Sequence, residues 1–200
     1  MAKQLIISLG REFGSGGHVI AEALAKRFDL PLYDNNLLDH VTEEKNLEKG
    51  SLHQYDEKPR RRLMYRKVRG HSSSPRENVA NMQFEYLQRM AREGKSFVIV
   101  GRCAETKLKE FPCLVTLFIL GDKDAKTKRV MEKYKLNEQQ ARQLMKTEDT
   151  KRKNYHNYFC EGKWGDSRNY ELSVNSSKLG IERTVDLLES YIREREKDFQ

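Results

Sequence analysis

An apolar, β-branched run that stops at a glycine-rich turn and restarts as a helix governs what this chain can fold into. Gln4–Leu9 (QLIISL) shows no polar alternation, the pattern of a strand buried on both faces. It ends at Gly10 and gives way to REFGSGGH. The next segment is VIAEALAKRF, where Val19, Ile20, Ala23, Leu24 and Phe28 recur at helical spacing. Backbone N–H groups in such a loop, together with the positive end of the following helix, form a cradle for an anion such as phosphate. Glycine is needed there because a Cβ would block the anion and forbid positive φ. Any tight strand-to-helix turn favours glycine, so the argument rests on the loop's place at the first strand–helix crossing.

The same alternation continues. Leu30–Tyr33 reads as a short second strand, with Asp34-Asn35-Asn36 as a turn or N-cap into a helix. Residues 44–75 are polar and poorly periodic, and Gly70–Pro75 (GHSSSP) reads as a flexible joint. Pro75 opens a long helix toward Gly94, burying Val79, Met82, Phe84, Leu87 and Met90. Ser96–Val100 (SFVIV) and Leu114–Leu120 (LVTLFIL) are fully apolar strands. Asp122 caps a helix through Tyr134, Asn137 caps another to about Arg152, Leu172–Val174 is a weak last strand, and Ile181–Glu196 is a terminal amphipathic helix. Apolar strands alternating with helices predict an α/β fold whose parallel sheet is covered on both faces. In such sheets ligands sit beyond the carboxyl ends of the strands.

Composition narrows the function classes. Two hundred residues suit one domain with room for a small inserted lobe, and a core of that size needs no staple. Cys103, Cys113 and Cys160 are odd in number and lack CxxC spacing, which argues against a disulfide framework and against a zinc site. The opening apolar run is far too short for a signal h-region or a membrane span, so a soluble chain of the reducing cytoplasm is expected. Net charge is +8, and Lys58–Arg76 alone holds eight Lys or Arg and no acid. Such a block is either a solvated face or a surface for phosphates or nucleic acid. Only Tyr65 lies within it for base stacking, which weighs against a nucleic-acid partner.

A P-loop kinase would show G-x-x-x-x-G-K-[ST]. Counting back from the helix, Arg11 stands at the first glycine, Gly16 matches the second, Gly17 replaces the lysine, and His18 replaces the Ser/Thr. Phosphoryl transfer needs charge neutralisation around spread negative charge. If Gly17 supplies no cation, another residue must, and Arg11 is the preferred substitute because its guanidinium is permanently charged and binds phosphate as a fork.

The segments SLGREFGSGGHVIAEALA, PLYDNNLL, VIVGRCAE and KRKNYHNYFCEGKWGDSRNYELSVNSSKLGIE together resemble the cytidylate kinase-like branch of the P-loop nucleoside monophosphate kinases. Members of that branch commonly carry GSGG without the lysine. The resemblance runs from about residue 4 to 190 and is poorest over 44–75. It implies a three-layer αβα P-loop NTPase-like fold with a five-stranded parallel sheet and a helical lid. It also implies one domain over 1–200, with a core of 1–34, 96–128 and 165–200, an acceptor-binding insertion at about 35–95 and a lid at about 129–164.

By that resemblance Gly14, Ser15, Gly16, Gly17, His18 and Val19 would hold ATP. Asn35, His40, Arg76 and Arg102 fall where cytidylate kinases bind the acceptor nucleotide. The chain departs from that pattern at His40 and Cys103, where an arginine and an aspartate are usual. Arg129, Lys151 and Arg152 would close on the reacting phosphates from the lid, while a solvated basic helix is the plainer reading of the same residues. Asp34, at the end of strand two, is the candidate for Mg²⁺; capping the next helix is its other reading. The expected activity is ATP-dependent phosphoryl transfer to a nucleoside monophosphate or similar small acceptor. A nucleotide-binding protein that has lost catalysis and a basic nucleic-acid-binding module are the alternatives.

Overall fold

The computed structural model describes residues 3–45, 52, 67–68, 71–72 and 74–199. Most of the basic stretch 58–76 lies outside the described residues. Five strands form one parallel sheet: β1 (Ile6–Arg11), β2 (Leu32–Tyr33), β5 (Phe97–Val100), β6 (Leu114–Leu120) and β7 (Leu172–Asn175), in the order β2-β5-β1-β6-β7. Ile7 sits between Val98 and Val115, which places β1 at the centre. Ile6, Ile7, Ser8 and Leu9 are all buried in succession. Side chains alternate between the two faces of a strand, so such a run requires cover on both faces.

That cover comes from helices. Ile20, Ala21 and Leu24 of α1 (Gly17–Arg27) share one core with Val185, Leu188 and Ile192 of α8 (Ile181–Glu196), whose bounds match the sequence reading. Leu87, Met90 and Ala91 of α3 (Pro75–Arg92) join it, as do Ala104 of α4 (Ala104–Lys107) and Leu108 just beyond. Between β2 and α3 lie α2 (Leu37–Glu44) and a two-stranded antiparallel pair, β3 (Lys67–Val68) and β4 (His71–Ser72). His71 and Ser72, expected in a joint, are therefore ladder residues. Among the described residues no helix is long and apolar enough to cross a membrane.

Two boundaries differ from the sequence reading in ways that matter for the site. β1 continues past Leu9 because Gly10 and Arg11 pair with Phe118 and Ile119 of β6. The helix that follows α5 (Lys123–Tyr134) is α6 (Glu138–Phe159), which runs well beyond Arg152. Its start is set by a capping box, Asn137 Oδ1 accepting the Gln140 N–H at 2.9 Å and Gln140 Oε1 accepting the Asn137 N–H at 3.1 Å. Its extension is held by tertiary packing, with Phe159 edge-on to Phe84 of α3. Asn137→Ala is expected to cost about 1 kcal/mol, a fall of about 2–4 °C in the thermal midpoint followed by circular dichroism.

Candidate active site at the carboxyl end of the sheet

β1, β2, β5, β6 and β7 all end on one edge, and the glycine loop leaves the central strand there. Gly14 and Gly16 have φ of 81° and 83°, the left-handed region where a Cβ is strained. The loop is also closely wrapped. A Cβ at Gly16 would lie 2.2 Å from Ile181 Cδ1, and one at Gly14 would lie 2.9 Å from Val130 Cγ2. Its carbonyls are held from several elements. Ser15 Oγ donates to the Glu12 carbonyl at 2.8 Å, Ser176 Oγ to the Ser15 carbonyl at 2.5 Å, and Arg129 Nη1 to the Gly14 carbonyl. Asp149 Oδ1 on α6 accepts the Phe13 N–H at 2.6 Å. Burial pushes that carboxyl up, while the Phe13 hydrogen bond and the charge of Arg152 oppose the shift. With carbonyls so engaged, the N–H groups of Gly14 and Gly16 meet no acceptor among the described residues.

The Arg11 side chain passes beside Gly17, the position at which the lysine is missing. A Cβ on Gly17 would lie 2.5 Å from Arg11 Cβ and 3.0 Å from its Cγ, and a Cβ on Gly101 would lie 2.6 Å from Arg11 Nη1. The Arg11 side chain therefore runs between two glycines, from the start of α1 to the end of β5. Its Nη2 is 3.7 Å from Asp34 Oδ1. The other oxygen of Asp34 faces His18 Nδ1 at 2.8 Å, and His18 Nε2 faces Glu22 at 3.2 Å. Arg11, Arg102 and Arg152 line one cavity of about 30 Å³, a concentration of positive charge beside the glycine loop.

The remaining candidates are distributed unevenly. Arg152 Nη1 donates to the Arg11 carbonyl at 3.3 Å, and its guanidinium lies 5.4 Å over the Phe13 ring, so it belongs to the loop. Arg129 joins the loop through Gly14. Lys151, on the same helix as Arg152, instead pairs with Glu148 at 2.6 Å. Val19 is exposed on α1. Arg102, buried with φ of 59°, donates from Nη2 to Asn35 Oδ1 at 3.4 Å, which brings two acceptor-site candidates together. His40 packs edge-on to Tyr33, their ring centres 5.2 Å apart, and Arg76 stands in the first turn of α3. Residues not singled out in the sequence also shape the site. Gly101 makes room for Arg11, and Glu12 holds Lys126 Nζ at 2.8 Å and the Gly121 N–H at 3.1 Å. Gly101 carries a local signal, a glycine directly after an apolar strand. Glu12 carries none.

Asp34 passes a modest test as a magnesium ligand. Its Oδ1 is buried and lacks a hydrogen-bond donor, with Arg11 Nη2 beyond hydrogen-bonding range. One carboxylate oxygen in that position suits an ion that keeps most of its waters. Asp34 does not cap α2. Asn36 shapes the turn instead, its Oδ1 accepting the Asp34 N–H at 2.7 Å.

Comparison with known proteins gave a match over residues 6–178 to the profile of the cytidylate kinase-like family. Among solved structures, an uncharacterized protein from Eubacterium ventriosum is 40% identical with a TM-score of 0.77, covering 95% of this chain and 99% of that one. Shikimate kinase from Bacteroides thetaiotaomicron superposes with a TM-score of 0.54 at 16% identity, covering 94% of this chain and 98% of that one. Shikimate kinase from Acinetobacter baumannii in complex with shikimate gives 0.51 at 12% identity, covering 96% and 95%. At those identities the two shikimate kinases speak for the fold alone, an α/β parallel sheet of the P-loop kinase kind. Curated protein sequences gave no match.

Proposed function

Because this chain belongs to the cytidylate kinase-like family, we propose that it transfers the γ-phosphoryl group of ATP to a nucleoside monophosphate of the cytidylate kind or to a similar small phosphorylated acceptor. The observation that carries this reading is the path of Arg11 between Gly17 and Gly101. It carries a permanently charged side chain past Gly17, the position at which a P-loop kinase has its lysine, and that supports Arg11 as the substitute cation.

In this reading the Gly14 and Gly16 N–H groups and the positive end of α1 bind the donor phosphates. Arg11 neutralises the charge that spreads over the transferred group. Arg129 keeps the loop in shape through the Gly14 carbonyl. Arg152 reaches the site from α6, within the lid segment of about 129–164, and excludes water as the segment packs down. Lys151 is assigned to the lid's outer charge, where nucleotide binding would have to draw it from Glu148. Arg102 and Asn35 receive the acceptor, with Arg76 and His40 contributed by the insertion of about 35–95. Magnesium, when bound, would neutralise charge on the donor phosphates, and Asp34 is the carboxylate that would hold it.

Offering purified protein Mg²⁺-ATP with CMP, dCMP, UMP, AMP, GMP and the matching nucleosides tests the reading. ADP release above the no-acceptor blank is expected for at least one pyrimidine monophosphate. Release no higher than the blank across the whole set, with ATP still bound, would favour a protein that binds nucleotide without turning it over.

A further inference from the structure

We propose that Cys103, Glu105, His156 and Cys160 form a zinc site that fastens the end of α6 to the start of α4. His156 and Cys160 stand one turn apart at the end of α6, and Cys103 and Glu105 flank the first residue of α4. His156 Nε2 is 2.8 Å from Glu105 Oε1, and Cys160 Sγ is 3.9 Å from the same oxygen. The three ligand atoms all lie within 4.8 Å of one another. Cys103 belongs to one buried cluster with Cys160, Ala80 and Phe84. A tetrahedral zinc with N, O and S arms of about 2.0–2.3 Å separates its ligand atoms by about 3.4–3.8 Å. The 2.8 and 3.9 Å separations from Glu105 Oε1 lie on either side of that range, and Cys103 Sγ, which stands outside the three-atom group, would turn in to complete the four.

The surroundings suit the metal. All four side chains are buried, with 9% or less of each residue exposed, and a structural zinc site is closed in this way. The second ring nitrogen of His156 meets Asn157 Oδ1 at 3.4 Å, and the same oxygen accepts the Trp164 N–H at 2.8 Å, an outer partner that fixes the ring. Zinc with two thiolates and a carboxylate carries a net negative charge. Arg102 and Lys107, on the same turn, and Arg11 and Arg152, on the shared cavity, supply the opposite sign. Cys103 holds a left-handed φ of 55°, a conformation uncommon for a non-glycine residue and often kept at functional positions. The sequence argued against zinc because no CxxC pair is present. The fold supplies a two-plus-two donor set instead, from C-x-E and H-x-x-x-C on different elements.

The full chain, purified under reducing conditions, is assayed for metal content, stripped with a chelator, and titrated with Zn²⁺ and Co²⁺. About one zinc per chain is expected, and the cobalt form should show intense visible bands with a thiolate-to-metal charge-transfer band. Cys160→Ser and Cys103→Ala, checked for an unchanged circular dichroism spectrum, should each weaken binding by more than the roughly 10–100-fold typical of losing an outer-shell partner. Cys113→Ala, which alters a thiol in the main core, should bind metal normally. Folded, reduced wild type that takes up neither ion would overturn the proposal. So would full binding by Cys160→Ser, or a Cys103–Cys160 disulfide found by mass in place of the metal.

Discussion

Arg11→Ala is expected to lower kcat/KM for phosphoryl transfer by roughly 10²–10³, the size of effect seen when one preorganised donor to a developing charge is removed. The sheet should survive the change. The Arg11 backbone pairs with Ile119, and its carbonyl still accepts from Arg152 Nη1. What disappears is a guanidinium held within a narrow slot between Gly17 and Gly101, with Asp34 3.7 Å from its fork. Arg11→Lys keeps a charge but loses the planar fork that binds phosphate through two parallel bonds, so it should fall between the two. Steady-state kinetics with ATP varied at fixed acceptor separates the cases. An alanine variant with undiminished kcat/KM would remove Arg11 from the chemistry.

Gly17→Lys, the substitution that rewrites the loop as an ordinary P-loop, should abolish activity rather than improve it. The new Cβ would sit 2.5 Å from Arg11 Cβ, a contact between atoms next to the backbone that no rotamer relieves. Overpacking of this kind costs about 1–3 kcal/mol, which is about 2–12 °C in a thermal melt at the roughly 2–4 °C per kcal/mol of a domain this size. The double substitution Arg11→Gly with Gly17→Lys clears the clash and exchanges one cation for the other. It should recover stability and part of the activity. Recovery by the double variant identifies the two side chains as alternative occupants of one space. A fully active Gly17→Lys single variant would show that they are not.

The order of elements was legible because the signals are local. Uninterrupted apolar runs mark the central strands, the period of Ile181–Glu196 marks α8, and Asn137 marks the start of α6. The glycine loop was legible for the same reason. What escaped depends on neighbours distant in sequence. β1 extends to Arg11 only because β6 offers Phe118 and Ile119 as partners. α6 continues to Phe159 only because Phe84 receives that ring. A glycine after an apolar strand marks the strand's end locally, but its use as space for a side chain from another element shows only in the fold, as at Gly101 beside Arg11. Likewise, Cys103 and Cys160 read as isolated thiols, since their meeting is made by packing α6 on α3 and α4.

The central claim is that a glycine loop without its lysine still moves a phosphoryl group, with Arg11 as the cation. It is tested most directly by following the phosphorus atom. The protein is incubated with Mg²⁺ and ATP labelled at the γ position, together with CMP and then with each other monophosphate, and the products are separated. Label on the acceptor from wild type, formed roughly 10²–10³ more slowly with Arg11→Ala and faster again with the Arg11→Gly, Gly17→Lys double variant, is the predicted result. Label found only in free phosphate or unreacted ATP, with every acceptor, would contradict it.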